Sequence, residues 1–583
     1  MDVPATPVAD PGTEVECFLE DSDDGGADGL YQTSPNHSIM YALLRFPLLF
    51  LGFILISVDL CLYFLVRQWI AGQEFLLLLG STQRRLLQKL QQSREYSEWH
   101  LTAQFLDKEL GNDDFKSAYP SNLVDAPLLA KLTGKLRKIS MTDDPENVKQ
   151  MIAILKTSVC KSDVGGIEEE KLYSNCFLGT NHCVQNYVDQ VMISLKYVSN
   201  SRHLSDSTKQ KFFSDAYDTF GRTALCLSGG GSLSYMHFGV CKALIDANML
   251  PKIITGSSAG CVAAAFVCTR TDKELKSAIN TDIVIHVTAA QDTFLQRLKR
   301  FWRTGAIFDK RLWIDKIQWF TKGLTFLEAH ERTGRILNIS VVSHEKTGKS
   351  KVLNYLTAPN ILIASAIVAS SAIPGILEPV QLLQKSENGY ISPYNGSGRV
   401  WRDGSFSSDI PKQELQQLFH VKSIIASQVN PHIQPFFFNS RGSAGAPTLH
   451  RRGFGWYPYF NFRRGGFILA SIVQFLRLDL LKWLGFIRDM RLLPRIGGVD
   501  FSQVFLQQFE GNITVLPEVG SIADLFLVIE DPSRERFARY VRAGERATWP
   551  KLCMIRNRWK IEKFLMERRT KPQGVVRRHS FVS

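Results

Sequence analysis

The fold is decided by Ile253-Ile-Thr-Gly-Ser-Ser-Ala-Gly-Cys261, in which a short apolar run enters a glycine-bounded turn and an apolar stretch follows. The turn, Gly256 to Gly260, matches G-x-S-x-G, the pattern of a nucleophile elbow between a strand and a helix. Glycine at both ends removes Cβ atoms that would clash in so tight a turn. The register makes Ser258 the candidate nucleophile. An ordinary glycine turn is the alternative, so the neighbouring segments decide between them.

The same succession of strand, glycine turn and helix occurs once before this segment. The apolar run Thr223–Leu227 leads into Ser228-Gly-Gly-Gly231, and a helical pattern follows as far as Met249. Two later apolar runs, 335–342 and 422–427, also have the composition of strands. Repetition of this unit is typical of a mainly parallel sheet, so the sequence predicts an α/β fold.

The glycine run is a candidate oxyanion hole. Gly229, Gly230 and Gly231 offer consecutive unobstructed N–H groups at the start of a helix, where the helix dipole also favours negative charge. A phosphate cradle is the rival interpretation. Neither G-x-G-x-x-G nor G-x-x-x-x-G-K-[ST] is present here, which argues against nucleotide binding.

A serine nucleophile also needs a base. Asp403 is the candidate, because Trp401-Arg-Asp-Gly-Ser405 places an aspartate between a strand-like stretch and a glycine turn. An Asp-Gly pair is also a frequent surface turn, which is the structural alternative. The histidines that follow Ser258 have no comparable context: His286, His330, His344, His420, His432, His450 and His579.

Composition sets the broad class of the chain. Its 583 residues include 45% hydrophobic and 21% charged residues, as in ordinary globular proteins, and its ten cysteines form no C-x-x-C pair. The net charge is +13, although residues 1–44 carry nine acids and no lysine or arginine. A basic body of this kind suits an anionic membrane surface or a nucleic acid. No nucleic-acid motif accompanies it, so nucleic-acid binding is not expected.

Two segments indicate a membrane. Phe46–Val66 is apolar apart from Asp59 and is long enough to span a bilayer, while Pro47 and Gly52 would also permit a bent hairpin in one leaflet. If the segment spans, the basic residues that follow it place the body of the protein in the cytoplasm. Aromatic residues interleave with arginines between 451 and 464, and 467–493 has the pattern of an interfacial helix. A buried helix packed on the sheet is the alternative for 467–493.

The ordered set of a glycine loop, a G-x-S-x-G serine and a late Asp-Gly-small triplet resembles the patatin-like phospholipase family. Within that family, Ala369–Val380 and Ser427–His432 resemble the branch of storage triacylglycerol lipases of yeasts and plant seeds. The region from Tyr96 resembles that branch's helical N-terminal domain. The resemblance covers residues 90–570 and is carried most strongly by Gly221–Asp246, Ile253–Val267, Ala358–Val380 and Val400–Pro435.

The resemblance implies a three-layer sandwich and a Ser258–Asp403 dyad that works without histidine, metal or cofactor. Its substrate would be triacylglycerol, cleaved to diacylglycerol and fatty acid through a fatty acyl-enzyme. The protein would lie on lipid droplets or the endoplasmic reticulum, with its catalytic domain in the cytoplasm. The same resemblance and the composition shifts predict this division: acidic disordered tail 1–38, membrane segment 39–80, helical domain 81–220, catalytic domain 221–436, basic amphipathic region 437–570 and flexible tail 571–583.

The chain departs from the family's D-G-G-G-x-R-G loop at three positions. Ser228 takes the Asp position, Leu233 the Arg position and Ser234 the position of the last Gly. No histidine is followed five residues later by aspartate, which argues against an acyltransferase. The alternatives to a triacylglycerol lipase are a phospholipase, lysophospholipase or lysophospholipid acyltransferase of the same fold. A catalytically inactive membrane or lipid-droplet scaffold is the alternative of another class.

Overall fold

The computed structural model describes residues 39–78, 82–118, 123–140, 144–159, 163–279, 283, 292–343, 350–394, 400–404, 409–448, 466–493 and 506–569. The predictions for the two tails and for the aromatic and arginine-rich run at 451–464 lie outside this part of the chain.

One long apolar helix, α1 (Ile39–Leu78), begins the described chain. Within its stretch Leu44–Leu76, an apolar window of 18 residues has a mean hydropathy of 2.5, and 11% of that window is buried. These 33 residues make a helix about 50 Å long, more than the roughly 30 Å of a bilayer core. Among the described residues it is the one helix whose length and composition would let it cross a membrane. The helix runs without interruption through Pro47 and Gly52, so the bent hairpin is not its conformation here.

A second apolar helix, α17 (Gly466–Asp489), packs along α1. The Arg45 Nε donates to the Leu492 carbonyl at 2.8 Å at one end of the pair, while Tyr63 and Ile70 bury against Val473 near the other end. The two helices are therefore antiparallel. The prediction of an exposed interfacial helix at 467–493 is partly right: one side of α17 is exposed, and α1, rather than the sheet, covers the other.

In the described part of residues 82–220, seven α-helices form the predicted helical region. They bury a continuous apolar stripe, from Trp99 and Leu106 through Tyr187 to Phe213, against the helices of the sheet domain. Their bounds are α2 Thr82–Gln92, α3 Tyr96–Leu110, α4 Asp113–Ser117, α5 Ala126–Ile139, α6 Pro145–Val159, α7 His182–Asn200 and α8 Asp206–Phe220.

The central sheet has the order β4-β3-β2-β1-β8-β9, and a further strand, β7, pairs with β3. Strands β3, β2, β1, β8 and β9 are parallel to one another, while β4 and β7 run antiparallel to β3. The bounds are β1 Arg222–Leu227, β2 Ile253–Gly256, β3 Ile336–Ser343, β4 Ser350–Leu353, β7 Trp401–Asp403, β8 Val421–Ser427 and β9 Ile513–Val515; β5 Leu383–Lys385 and β6 Ile391–Pro393 form a separate hairpin.

Helices cover both faces of this sheet. Alternate residues of β1 face opposite sides: Leu225 belongs to the large core with the helical region, whereas Cys226 belongs to a smaller core with Leu415 and Phe419. The three-layer α/β sandwich is therefore confirmed. The remaining helices are α9 Met236–Asp246, α10 Gly260–Cys268, α11 Asp272–Ala278, α12 Phe294–Thr304, α13 Lys310–Thr321, α14 Phe326–Thr333, α15 Ile363–Ser370, α16 Lys412–Phe419, α18 Ile522–Phe526, α19 Arg534–Thr548 and α20 Leu552–Arg568.

The C-terminal segments are part of this same body. Strand β9 extends the sheet beside β8, α19 packs on α9, and α20 packs on α7 and α8. The carboxylate of Glu562 in α20 accepts the Thr223 N–H of β1 at 2.8 Å. The described segments after residue 506 thus pack against both the sheet and the helical region.

Candidate active site

Ser258 occupies the tight turn between β2 and α10. Its φ of 49° is left-handed, a conformation that a non-glycine residue seldom adopts and that often marks a functional site. A Cβ on Gly260 would collide with the Ser228 carbonyl, and one on Gly256 would lie 2.6 Å from the Cys261 Cα. The elbow thus requires both glycines, and it presents Ser258, which is 6% exposed, to a pocket.

The glycine loop after β1 lies directly beside this serine. A Cβ on Gly229 would lie 3.2 Å from the Ser258 Cβ. The Gly229 N–H donates to the Asp409 carboxylate at 3.2 Å, which takes it away from the predicted set of oxyanion donors. No described residue accepts a hydrogen bond from the N–H of Gly230 or Gly231. Those two groups are the ones left to bind an oxyanion.

The sheet topology brings Asp403 to the end of β2. Both β2 and β4 pair with Ile339 of β3, so they occupy opposite edges of that strand. Val341 pairs with both β4 and Asp403, which puts β7 on the same edge as β2. Gly256, the last residue of β2, lies opposite Ile339 of β3. Asp403 lies opposite Val341, two residues further along β3, so it is about 7 Å beyond the end of β2 in the strand direction. Asp403 is 1% exposed.

Ser370, at the end of α15, connects the two predicted catalytic residues. Its hydroxyl donates to the Ser340 carbonyl at 2.8 Å and accepts the Ser258 N–H at 3.1 Å. Two residues further on, the Ala372 carbonyl accepts the Asp403 N–H at 3.2 Å. The last residue of α15 and the residues just after it therefore fix the backbone of both Ser258 and Asp403.

Asp409 is a buried residue whose carboxylate binds both the glycine loop and the elbow. Its carboxylate accepts the Ser257 hydroxyl at 2.6 Å and the Asn430 amide at 3.0 Å, besides the Gly229 N–H. Burial raises the pKa of Asp409, and the hydrogen bonds from Ser257, Gly229 and the neighbouring amides oppose that rise. The sequence-based interpretation overlooked this residue, although it lies six positions after Asp403.

Two of the three altered loop positions, Ser228 and Leu233, have contacts that explain them. Ser228 donates to the Gly229 carbonyl and accepts the Val429 N–H, both at 2.9 Å. Leu233 is fully buried in an apolar cluster with Val429 and Tyr540, a setting for a leucine and not for an arginine. Ser234 is 3% exposed and lines the pocket, and its hydroxyl forms no hydrogen bond with any described residue.

His237 binds the backbone of the glycine loop. Its Nε2 lies 2.9 Å from the Ser228 carbonyl, which can only accept, and its Nδ1 lies 2.8 Å from the Ser427 hydroxyl. Burial lowers the pKa of His237 to about 4, so the ring is neutral near pH 7 and carries its proton on Nε2. His237 therefore holds the backbone of the loop.

The pocket at Ser258 has a volume of about 130 Å³ and a mostly apolar wall, which includes Val262, Phe308, Trp313, Ile317, Phe320, Ile373, Ile376, Val528 and Ile529. Its ionisable lining groups comprise one lysine, Lys316, and two acids, Glu530 and Asp531, besides Tyr235. A larger cavity of about 980 Å³ lies between α1 and α17, and Ser258 does not line it. Within the described ranges, no cluster of three His, Cys, Asp or Glu side chains could hold a metal ion.

Comparison with known proteins identifies the family. The profile of the family described as patatin-like phospholipase matches residues 225–415, and residues 77–218 match a domain of unknown function, DUF3336. A patatin-like phospholipase domain-containing protein of Neosartorya fischeri is 41% identical over 544 residues, which cover 91% of this chain and 75% of that protein. The chain belongs to the patatin-like phospholipase family.

The chain spans different shares of its other relatives. A patatin-like phospholipase domain-containing protein of Aspergillus fumigatus is 41% identical over 91% of this chain and 75% of its own length. For one from Cryptococcus neoformans the identity is also 41%, over 92% of this chain, which spans 61% of that relative. A chain in the solved structure of full-length SpcU with full-length ExoU from Pseudomonas aeruginosa matches 26% of this chain over 39% of its own length. The sequence identity is 18% and the TM-score is 0.19, which is too low to show a shared fold.

The patatin-like family match and the geometry together extend the sequence-based site. Ser258, the glycine loop and Asp403 were all found by motif, and they lie at neighbouring ends of β1, β2 and β7. Ser370 and Asp409 were missed as positioning residues. Their signal was present in the two segments that carry the resemblance, Ala369–Val380 and Val400–Pro435, but neither residue has a motif of its own.

Proposed function

We propose that this chain is a triacylglycerol lipase that works through a Ser258–Asp403 dyad. The observation that supports hydrolysis most directly is the left-handed Ser258, set beside the free N–H groups of the glycine loop in an apolar pocket. The topology that places Asp403 just beyond the end of β2 supports it as the base.

The proposed reaction begins with transfer of the Ser258 hydroxyl proton to the Asp403 carboxylate as Oγ attacks an ester carbonyl carbon. The N–H groups of Gly230 and Gly231 stabilise the oxyanion that forms. As the intermediate collapses, the ester C–O bond breaks and the leaving alkoxide takes the proton from Asp403, so diacylglycerol departs. Water then gives a proton to Asp403 and attacks the acyl-enzyme. Ser258 recovers its proton, and a fatty acid is released.

The charge of the pocket favours an uncharged ester over a phospholipid. Its lining includes Glu530 and Asp531 but only one lysine, Lys316, among the described residues. A phosphodiester headgroup in that pocket would meet more negative than positive charge, which is unfavourable for an anion. A triacylglycerol has no such group. Phospholipid hydrolysis is the second candidate, because the relatives are named patatin-like phospholipase domain-containing proteins.

Parallel assays on emulsified triolein and phosphatidylcholine test the proposal. We expect fatty acid from triolein, and a loss of about a thousandfold or more in kcat for Ser258→Ala and Asp403→Asn. Ser257→Ala is the control for the nucleophile, because Ser257 is the adjacent serine but does not line the pocket; it should lose far less activity than Ser258→Ala. Retention of triolein hydrolysis by Ser258→Ala would refute the nucleophile. Hydrolysis of phosphatidylcholine alone would keep the dyad and replace the substrate.

A further inference from the structure

Helix α12 presents its apolar side chains to solvent. Leu295, Leu298 and Trp302 follow one another at the i, i+3, i+7 spacing of a single helix face, and they are 75%, 42% and 81% exposed. A helix of a soluble protein normally turns such a stripe toward the core. In α12 the stripe faces outward.

The opposite face of α12 is polar and packs against the protein. The Arg300 guanidinium donates to the Asp292 carboxylate at 2.5 Å and to the Ile307 carbonyl at 3.0 Å. The Arg297 guanidinium lies 5.4 Å from the centre of the Phe308 ring. Because the arginines fix this face inward, the apolar stripe is held outward by specific contacts.

A second exposed apolar group lies in the segment 525–529. Phe526 is 81% exposed and Ile529 is 42% exposed. The same segment contacts the glycine loop, because the Val528 carbonyl accepts the Ser232 N–H at 2.7 Å. These exposed side chains therefore lie next to the proposed oxyanion donors.

Both apolar groups adjoin the pocket of Ser258. The N–H groups of Ile307 and Phe308, just after α12, donate to the Ile376 carbonyl at 3.1 and 3.0 Å. Phe308 and Ile376 line the pocket, and so does Ile529 from the second segment. The exposed side chains of α12 and of 525–529 are thus attached to two parts of the same pocket wall.

The charges on α12 are complementary to an anionic surface. Lys299 and Arg303 are exposed beside the apolar stripe, and the helix contains no acidic residue. No described carboxylate forms an ion pair with either of them. Apolar side chains flanked by lysine and arginine are the composition of a helix that lies in the interface of a membrane containing anionic lipid.

We propose that α12 and residues 525–529 form a lipid-contact surface, the rim surface, which seats the mouth of the pocket on a phospholipid layer containing anionic lipid. This surface is distinct from the α1–α17 pair, because its residues do not belong to either helix. The proposal rests on the proposed function, because that function makes the Ser258 pocket the active site. Its own content is a contact between α12 and lipid, which is measurable without catalysis.

The activity test uses the full chain with Leu298→Ser/Trp302→Ser and a matched control, Leu101→Ser/Phe105→Ser. The control pair has the same i, i+4 spacing on α3 and is 57% and 62% exposed. We expect the α12 variant to lose at least about tenfold in apparent kcat/KM on emulsified lipid, since burial of a large apolar side chain changes an equilibrium by that order. Its kcat/KM on a water-soluble short-chain ester should not change. An equal loss in the control, or no loss in the α12 variant, would overturn the proposal.

The contact test is tryptophan quenching by phospholipids with brominated acyl chains. The full chain is reconstituted into phosphatidylcholine vesicles, with or without phosphatidylserine, and compared with Trp302→Phe and with Trp319→Phe, a half-exposed tryptophan of α13 that does not line the pocket. We expect Trp302→Phe to lose a quenched component that Trp319→Phe retains. The component should grow with phosphatidylserine, and Lys299→Glu/Arg303→Glu should abolish that growth.

The two proposals fail in different ways. If the wild type hydrolyses neither the soluble ester nor the emulsion while Trp302 is quenched, the proposed function is wrong and the rim surface stands. If hydrolysis is normal and Trp302 is not quenched in either vesicle, the rim surface is wrong and the lipase proposal stands.

Discussion

Asp409→Asn should impair turnover by loosening the glycine loop, although Asp409 is not proposed to touch the substrate. The carboxylate of Asp409 accepts four hydrogen bonds: from Ser257 at 2.6 Å, Asn430 at 3.0 Å, Gly229 at 3.2 Å and Gln428 at 3.4 Å. The amide of an asparagine keeps one acceptor oxygen. Its NH₂ group replaces the other oxygen and would face groups that themselves donate. The Gly229 N–H belongs to the backbone and cannot rotate, so we expect the retained oxygen to accept from Gly229 and Ser257. The amide of Asn430 must then rotate.

The magnitude follows from the donors that lose their acceptor. One buried donor left without a partner costs about 1–3 kcal/mol. If that cost falls on the loop geometry that binds the oxyanion, kcat should drop roughly ten- to a hundredfold, since each 1.36 kcal/mol is tenfold in rate. KM on a soluble short-chain ester should change little, because the apolar wall of the pocket is untouched. Labelling of Ser258 by a fluorophosphonate probe should slow in the same proportion.

Asp107→Asn is the matched control. Asp107 is also fully buried, and its carboxylate accepts the N–H groups of Phe177 and Leu178 at 2.8 and 3.0 Å and the Asn112 amide at 3.0 Å. Both variants should lose a similar free energy of unfolding, measured by denaturant titration. Only the Asp409 variant should lose kcat per folded molecule. If the two variants match in stability and both keep the wild-type kcat, Asp409 has a purely structural role.

Three further results are expected. Between pH 6.5 and about 4, His237 should contribute about 3 kcal/mol to the acid-induced loss in free energy of unfolding, because the pKa of His237 is about 6.5 in the unfolded chain and about 4 in the folded chain; His237→Gln should lose that much less stability than the wild type over this range in urea titrations. Ser370→Ala should lower kcat on a soluble ester without changing KM, since the Ser258 N–H loses its acceptor; a KM effect alone would contradict this. Ser234→Gly should leave stability unchanged and raise KM if the hydroxyl binds substrate, and an unaltered KM would exclude that contact.

Local sequence was sufficient to predict the α/β class and to single out the residues of the candidate site. Strands 223–227, 335–342 and 422–427 were predicted within one or two residues of β1, β3 and β8, because each is a short apolar run bounded by turns. The elbow was readable because only glycine fits at Gly256 and Gly260. The strand-like stretch predicted to end at Asp403 is β7, whereas the short strand β9 was not predicted, since three residues carry no periodicity.

The sequence alone therefore determined which residues could perform the chemistry, since a nucleophile, a base and a glycine loop are each recognisable from a few adjacent residues. Tertiary structure alone decided how they meet. Asp403 lies just beyond the end of β2 because β7 pairs with the same edge of β3 as β2 does, and Asp409 accepts the Gly229 N–H. It also decided that the apolar stripe of α12 faces solvent, because the contacts of Arg297 and Arg300 that hold it there are made outside the helix. Hydrogen bonds and strand pairing between residues distant in sequence leave no local pattern, so only the folded chain reveals them.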